Sequence, residues 1–254
     1  MAPLLNLMKI SIITAVYNGA ESITKTLNSV AQQDFESIEH IVVDGASEDD
    51  TLGRVHASGA RVARVISEPD FGVYDAFNKG LRSATGDVIG FLNAGDTYVS
   101  RHVISRIAEE LMTASTQAVF ADLMVVDEHD DSRVVRIYRS KYFAPNTMAY
   151  GFMPAHPTLF LRREVYQGVG EYDTRYRIAG DFEMCLRIFV TRSTRYKYIP
   201  QPLVRMPRGG LSNSGWRSKW EITREMHQAC VACGVRTNVA KLLLRLPVKL
   251  LEMN

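Results

Sequence analysis

The feature that most constrains the fold is the alternation of strand-like and helix-like patterns in the first 112 residues. Four runs of β-branched and apolar residues are typical of buried parallel strands, at 10–15, 39–43, 62–67 and 88–92. Apolar residues at helical spacing lie between or after them, at 22–31, 73–83 and 101–112. This alternation predicts an α/β fold in which helices cover both faces of a mostly parallel sheet.

The second half of the chain is less regular, and its patterns predict four more strands and two helices. The strands are expected at 119–126, 134–138, 157–161 and 196–199. The helices are expected at 180–190 and 216–233, and 208–215 has the composition of a flexible polar loop. With 254 residues and no internal repeat or linker, the sequence is typical of one large domain with a C-terminal appendage.

Charge and cysteine content exclude several classes of protein. The net charge is +2, which gives no global signal for nucleic acid, and we expect no nucleic-acid partner. The three cysteines include the pair Cys230 and Cys233, which supplies only two zinc ligands and is more typical of buried thiols. The N-terminus does not resemble a signal peptide, and no run reaches the roughly 18 apolar residues of a membrane span. We therefore expect a cytoplasmic protein.

Polar residues follow each of the first four predicted strands. They are Tyr17 and Asn18, then Asp44, then Glu68 to Asp70, then Asn93 to Asp96. Carboxyl ends of parallel strands share one edge, where such sheets bind ligands. The sequence lacks both GxGxxG and the Walker loop, so the common phosphate cradles are unsupported. Carboxylates here could instead contact a nucleoside or hold a cation that binds a diphosphate, although each acid alone is also typical of turns and helix caps.

Four segments resemble, in order, the blocks of the family 2 glycosyltransferases. The segments are 11–18, 41–51, 67–80 and 84–96, and a weaker likeness extends to about residue 215. The resemblance implies a GT-A fold, a single Rossmann-like, mostly parallel mixed sheet flanked by helices, with C-terminal helices. It implies a domain over 1–215, with a nucleotide-binding half (about 9–112) and an acceptor-binding half (about 113–215). A helical appendage would occupy 216–254.

Matched by position, the resemblance implies roles for individual residues toward a nucleotide-diphosphate sugar. The base pocket would be lined by Thr14, Ala15, Tyr17 and Asn18. Asp44 would contact the base or ribose, and Asp70 would lie near the nucleotide. Asn78 and Lys79 would lie near the donor sugar and phosphates, unless they are only polar residues on a helix surface.

The predicted metal motif departs from the family pattern. The family usually has several acids in a DxD-like arrangement, whereas this chain has Asn93-Ala-Gly-Asp96. Asp96 is then the carboxylate left to bind metal, and Asn93 could offer an amide oxygen or contact the donor sugar. A divalent cofactor, Mn²⁺ or Mg²⁺, is expected, held largely by diphosphate oxygens and water and weakly without donor.

Residues 178–187 resemble the family block that carries the catalytic base at the start of a helix. The resemblance implies that Asp181 removes the acceptor's proton in an inverting transfer. A helix N-terminus would stabilise the ionised carboxylate, but Asp is equally favoured there as a cap. Glu183 is the weaker candidate, because two residues further on it lies on another face of the helix.

Two further residues are candidates for contacts with the acceptor or with a moving loop. His156 has no partner at zinc-ligand spacing, so a structural or acceptor-side role is expected. Arg208 opens a glycine-rich segment similar to the family's flexible loop, which can close over the donor, and its guanidinium could meet phosphate. An ordinary surface loop explains that segment equally well.

The C-terminal tail combines basic and apolar residues at helical spacing. Lys241, Arg245 and Lys249 share one face, and another carries Leu242, Leu243, Leu246 and Leu250. This pattern fits an amphipathic helix at the cytoplasmic face of the inner membrane, interrupted at Pro247. It fits equally a helix packed on the domain or on a second subunit of a homo-oligomer.

The sequence therefore predicts an inverting glycosyltransferase that moves a sugar from a nucleotide diphosphate to a glycan or lipid-linked acceptor in bacterial envelope assembly. A non-catalytic nucleotide-sugar-binding subunit is the competing hypothesis, favoured by the reduced metal motif. A sugar-phosphate nucleotidyltransferase is a further alternative. It should carry a glycine-rich basic loop after the first strand, where this chain has Tyr17-Asn-Gly-Ala20.

Overall fold

The computed structural model describes residues 8–113, 115–209 and 215–247. Nine strands form one sheet: β1 (Ile10–Val16), β2 (Ile38–Asp44), β3 (Val62–Ser67), β4 (Val88–Phe91), β5 (Thr97–Tyr98), β6 (Ala118–Val126), β7 (Val134–Tyr138), β8 (Phe160–Arg162) and β9 (Tyr196–Pro207). The helices are α1 (Ile23–Ala31), α2 (Thr51–Ala57), α3 (Val73–Ser83), α4 (Val103–Leu111), α5 (Arg163–Val169), α6 (Gly180–Leu186), α7 (Gly215–Ala232) and α8 (Val239–Leu243).

The sheet is mixed, with a parallel half at one side. Its strand order is β3-β2-β1-β4-β8-β6-β9-β5, with β7 beside β6. The first four strands run parallel to one another, whereas β8 is antiparallel to both β4 and β6. The carboxyl ends of β1 to β4 therefore meet at one edge, as the sequence predicted. The predicted α/β class is confirmed.

Strand β1 lies at the centre of the parallel half and is buried along its whole length. Ile10 and Ile12 pack into one hydrophobic cluster, whereas Ile13 and Ala15 pack into another on the opposite face. Successive side chains of a strand point to opposite faces, so a strand with isoleucines on both faces is favoured where both faces are covered. This explains why the run at 10–15 predicts a strand of this kind.

Several elements differ from the sequence prediction. The strand expected at 157–161 is a 3₁₀ turn (His156–Thr158) followed by β8, because Pro157 lacks a backbone donor and the Thr158 hydroxyl bonds the carbonyls of Ala121 and Ala155. The helix expected at 180–190 is α-helical only to Leu186 and continues as a π-turn (Arg187–Thr191). Helices α2 and α5, seven residues each, were not predicted.

The described C-terminal helices pack on the domain. Helix α7 contacts α6, and α8 contacts both α7 and the 3₁₀ turn at Pro145–Tyr150. Arg245 is buried, and its guanidinium donates to the Leu242 carbonyl and to the Thr223 hydroxyl at 3.0 Å. Arg245 is therefore not on an exposed basic face, contrary to the amphipathic pattern.

Burial lowers the pKa of the Arg245 guanidinium, which is further reason to regard it as a packing residue. Leu243 and Leu244 are exposed, whereas Leu242 is buried. Lys249 and Leu250 lie outside the described residues. Within the ranges that the structure covers, no helix has the length and apolar character to cross a bilayer.

Candidate active site

The loops that follow β1 and β2 are joined by hydrogen bonds. The Asn18 backbone N–H donates to Ser47 Oγ at 2.8 Å, and Asn18 Oδ1 accepts from the Glu48 N–H at 2.9 Å. Asn18 has a φ of +48°, a left-handed conformation that asparagine tolerates better than most residues. The Tyr17 ring stands next to this junction and is 61 % exposed, so it is available to pack against a planar ligand.

Asp44 ends β2 and is fully buried beneath this junction. Its carboxylate accepts hydrogen bonds from the Ser47 N–H (3.1 Å), the Ser47 hydroxyl (2.5 Å) and the Ser67 hydroxyl (2.7 Å). Ser47 in turn accepts from Asn18. Asp44 therefore lies in the predicted region. Through these bonds it connects the loops after β1 and β2 to the end of β3.

Asp70 and Tyr17 meet over Gly45. A Cβ at Gly45 would lie 2.5 Å from Asp70 Oδ2 and 3.4 Å from Tyr17 Cδ2, so only glycine leaves room for both side chains. Asp70 Oδ1 accepts from the Gly72 N–H at 2.8 Å, at the start of α3. Three of the predicted nucleotide residues, Tyr17, Asp44 and Asp70, thus converge at one edge of the sheet.

Asp181 lies in the first turn of α6 and contacts α3 through Tyr74. Its Oδ1 accepts from the Phe182 N–H at 2.7 Å and lies 3.4 Å from the Tyr74 hydroxyl oxygen. The one proton of the Tyr74 hydroxyl is donated to the Ile178 carbonyl at 2.6 Å. Burial, and then the charge of Asp181, raise the pKa of Tyr74 above its usual value, so the phenol stays protonated and acts as a donor. This contact brings the predicted base close to the loop that carries Asp70.

Gly180 permits the contact between α3 and α6. A Cβ at this position would lie 2.8 Å from the Tyr74 ring, which is too close for the two helices to keep their present distance. Tyr74 lies on the helix predicted at 73–83, and helical spacing alone gives it no role beyond an apolar helix face. The phenol oxygen was the available signal, because a buried tyrosine hydroxyl needs a partner, but the sequence does not say which one.

Two predicted base-pocket residues are internal to the sheet. The Thr14 hydroxyl is buried and hydrogen-bonded to His40 Nε2 at 2.9 Å, and Ala15 is also buried. Burial lowers the pKa of His40 to about 4, so this imidazole is neutral near pH 7. The Thr14 side chain therefore supports β1 and β2 instead of facing a ligand.

Asn78 and Lys79 also differ from their predicted places. The Asn78 amide is buried and exchanges two 2.8 Å hydrogen bonds with the backbone of Tyr172. Lys79 Nζ donates to the Pro69 carbonyl at 2.6 Å and pairs with Glu68 at 3.1 Å. Both polar groups are committed to neighbouring backbone and loop atoms, because their side of α3 faces the protein. These bonds support the neighbouring loops, and the contacts of Asn78 and Lys79 with donor sugar and phosphates stay a prediction.

The Asn93–Asp96 turn is folded tightly against α1. The Thr26 hydroxyl donates to the Asp96 carbonyl at 2.9 Å and accepts from the Gly95 N–H at 2.9 Å. Burial raises the pKa of the Asp96 carboxyl to about 8, although a hydrogen bond from the Asn93 backbone opposes this shift. Asn93 Oδ1 is buried without a hydrogen-bond partner, so this turn holds an acceptor oxygen that a cation would satisfy.

Residues 8–113, 115–209 and 215–247 contain no group of three or more His, Cys, Asp and Glu side chains placed to hold a metal. The two oxygens of this turn, from Asn93 and Asp96, fit a divalent cation only as part of a ligand set. Magnesium and manganese commonly keep waters and substrate phosphate oxygens as their other ligands.

The three candidate acceptor or loop residues lie in different surroundings. His156 is buried, hydrogen-bonded to the Tyr172 hydroxyl at 2.8 Å and stacked on Phe77, which identifies it as a core residue. Glu183 is buried and paired with Arg187 at 2.7 Å, so it does not face the site. Arg208 is exposed at the end of β9, and residues 210–214 of its loop lie outside the described residues.

The core position of His156 leads to a pH prediction. Burial lowers its pKa to about 4, against an ordinary value of 6.5. As pH falls from 6.5 to 4 the unfolded chain takes up this proton and the folded chain does not, so the free energy of unfolding falls. The expected loss is on the order of 3 kcal/mol for each such histidine, and His40 is a second.

Urea unfolding at pH 7, 5.5 and 4.5 should therefore show that His156→Gln loses about 2 kcal/mol less stability than the wild type between the first and the last pH. His129→Gln, in the exposed β6–β7 turn, is the control and should keep the full loss. If His156→Gln lost as much unfolding free energy as the wild type between pH 7 and 4.5, His156 would not be the neutral core histidine described above.

A sheet whose parallel strands end in polar residues at one edge is typical of α/β proteins that bind a ligand at that edge. The chain matches the model "Glycosyl transferase family 2" over residues 11–170, well over half of its length, and it belongs to that family. This confirms the resemblance and the prediction of an enzyme, and it favours a glycosyltransferase over a nucleotidyltransferase.

Two relatives carry similar names. The chain is 31 % identical to an uncharacterized glycosyltransferase of Mycobacterium tuberculosis, covering 70 % of this chain and 68 % of the relative. It is 28 % identical to a PGL/p-HBAD biosynthesis glycosyltransferase of Mycobacterium bovis, covering 80 % and 79 %.

Solved structures share the fold at low identity. S. aureus TarS in complex with UDP-GlcNAc superposes with a TM-score of 0.67 at 18 % identity, covering 94 % of this chain and 72 % of that one. M. tuberculosis glucosyl-3-phosphoglycerate synthase, in complex with Mn²⁺, UDP and glucosyl-3-phosphoglycerate, gives 0.65 at 17 %, covering 94 % and 86 %. These neighbours are GT-A glycosyltransferases, which confirms the GT-A prediction.

Proposed function

We propose that the protein transfers a sugar from a nucleotide-diphosphate donor to a hydroxyl acceptor, with inversion, and that Asp181 is the base. The observation that carries the proposal is the 3.4 Å contact between Tyr74 and Asp181. It holds a carboxylate at the start of α6 against α3, the helix that follows the Asp70 loop. UDP in the two structural neighbours supports a uridine nucleotide as the donor class.

The proposed reaction needs a base and a stable leaving group. The Asp181 carboxylate accepts the proton of the acceptor hydroxyl as that oxygen bonds to the anomeric carbon, on the face opposite the leaving group. The bond between the anomeric carbon and the diphosphate oxygen breaks, and the electron pair leaves with the nucleoside diphosphate. The start of α6 favours the ionised form of the base.

A divalent cation is the proposed cofactor, with Asp96 and Asn93 as its protein oxygens. Bound with the donor, such an ion would neutralise charge on the departing diphosphate. Mn²⁺ in a structural neighbour supports this assignment.

The acceptor is proposed to be a glycan or a lipid-linked molecule of the bacterial envelope. The name of the M. bovis relative, a PGL/p-HBAD biosynthesis glycosyltransferase, supports this class of pathway. A lipid-linked acceptor would also be consistent with a cytoplasmic protein that contacts the inner membrane peripherally.

The first experiment measures donor binding and turnover together. A ligand present at 100 times its Kd stabilises the folded protein by about 2.7 kcal/mol. We therefore expect 1 mM UDP with Mn²⁺ to raise the midpoint of thermal unfolding by several degrees. UMP, which lacks the second phosphate, is the matched control and should shift it less. Nucleoside diphosphate release from UDP-GlcNAc, UDP-glucose and GDP-mannose then reports donor choice. No stabilisation by any nucleotide and no release would contradict the proposed function.

A further inference from the structure

A buried carboxylate of the C-terminal helix α7 binds the backbone just ahead of the proposed base. Glu225 accepts three hydrogen bonds, from the N–H groups of Arg177 (3.0 Å), Ile178 (2.9 Å) and Ala179 (2.8 Å). These three residues immediately precede α6, whose second residue is Asp181. The family match ends at residue 170, so Glu225 and the three residues that it binds all lie outside the matched region.

This arrangement fixes the backbone that leads into α6 and is not a cap of that helix, because the three N–H groups belong to residues before Gly180. Ala179, the residue before α6, has no side chain that could accept a hydrogen bond, and α6 has no side-chain cap. Glu225 reaches the segment from more than forty residues further along the chain and binds its donors with a charged acceptor. Hydrogen bonds to a charged group are typically shorter and stronger than neutral ones, which favours one fixed backbone position.

Helix α3 also binds this segment, through a different atom of Ile178. Glu225 accepts from the Ile178 N–H, and the Tyr74 hydroxyl donates to the Ile178 carbonyl at 2.6 Å. The segment 177–179 is thus fixed between α3, which follows the Asp70 loop, and α7. A shift of this segment would move Asp181 relative to that loop.

We propose that Glu225, on α7, is a positioning residue for Asp181. This inference rests on the proposed function, because it assigns Glu225 its effect through the proposed base. The proposal concerns residues outside the family match. In it, the C-terminal helices pack on the domain and also set the geometry of the reaction.

The test uses the full chain with Glu225→Gln, which keeps the shape and one acceptor oxygen but loses the charge. We expect kcat for nucleoside diphosphate release to fall 10- to 100-fold, since displacing a catalytic group by about 1 Å can cost 100-fold. The Kd for UDP should change less than twofold. Glu221→Gln is the matched control, because Glu221 lies one turn earlier on α7 and accepts none of these bonds; its kcat should stay at the wild-type value.

A double-mutant cycle separates positioning from general damage. If Glu225 acts through Asp181, adding Glu225→Gln to Asp181→Asn should lower the residual rate by less than twofold. A wild-type kcat in Glu225→Gln, or a full further loss in the double variant, would overturn the proposal.

The remaining outcomes are also decisive. Should Glu225→Gln fail to fold, Glu225→Asp keeps the charge with a shorter reach and should still show reduced kcat at unchanged UDP affinity; wild-type kcat there overturns the proposal. If Asp181→Asn is inactive while Glu225→Gln is fully active, only this inference fails. If Asp181→Asn is itself fully active, the proposed base is wrong and this inference fails with it.

Discussion

Replacing Asp181 with Asn is expected to lower the rate of sugar transfer about a thousandfold and to leave the Kd for UDP within twofold of the wild-type value. The amide matches the carboxylate in size and can still accept from the Phe182 N–H, which now donates to Asp181 Oδ1. It cannot accept a proton from an acceptor hydroxyl. General base catalysis typically contributes 10²- to 10⁴-fold, so the loss should fall within that range.

The measurement is single-turnover transfer with UDP binding followed in parallel. Asp173→Asn is the matched control, because Asp173 lies eight residues earlier and its carboxylate is paired with Arg175 at 2.7 Å. That variant should keep the wild-type rate. In the wild type the rate should fall at acidic pH as the base is protonated, and this limb should disappear in Asp181→Asn. A rate above one tenth of wild type would remove Asp181 from the mechanism.

The parallel half of the fold was predictable because its signals are local. The apolar runs of β1 to β4 are buried on both faces, and their order along the chain brings their carboxyl ends together. Tyr17, Asp44 and Asp70 follow directly from strand ends, so their convergence needed only the topology of a parallel sheet. Helix α2 is seven residues long and contains Gly53, which leaves too little periodicity to predict it.

The direction in which a polar side chain points was not predictable from position in a motif. Asn78 and Lys79 lie on the expected helix, but their polar groups bind other parts of the chain. Asn78 bonds the backbone of Tyr172, which is distant in sequence, and Lys79 bonds the carbonyl of Pro69, which lies in a loop. The role of Glu225 was not predictable for the same reason, because its three backbone partners lie 46 to 48 residues earlier in the chain. Burial of Arg245 depends likewise on Thr223 of another helix.

Replacing Asp44 with Ala is expected to weaken UDP binding at least thirtyfold and to destabilise the fold. The carboxylate accepts three hydrogen bonds in a fully buried place, and the change leaves the donors of Ser47 and Ser67 without it. Hydrogen bonds to charged groups contribute about 1.5–3 kcal/mol each, so a loss of roughly 3 kcal/mol or more is reasonable after relaxation. Binding should suffer further, because Ser47 also fixes Asn18 beside Tyr17.

Asp44→Asn separates the two effects. With its amide oxygen in the place of Oδ2 it can still accept from the Ser47 N–H and the Ser67 hydroxyl, and its NH₂ in the place of Oδ1 donates to the Ser47 hydroxyl, which rotates. The charge is lost and most of the hydrogen bonds are kept, so both losses should be intermediate. Asp50→Asn, an exposed carboxylate in the same loop paired with Arg54 at 3.1 Å, is the matched control and should change neither quantity. UDP titration and urea unfolding measure the two effects. Wild-type UDP affinity in a folded Asp44→Ala protein would mean that the nucleotide does not bind above this loop junction.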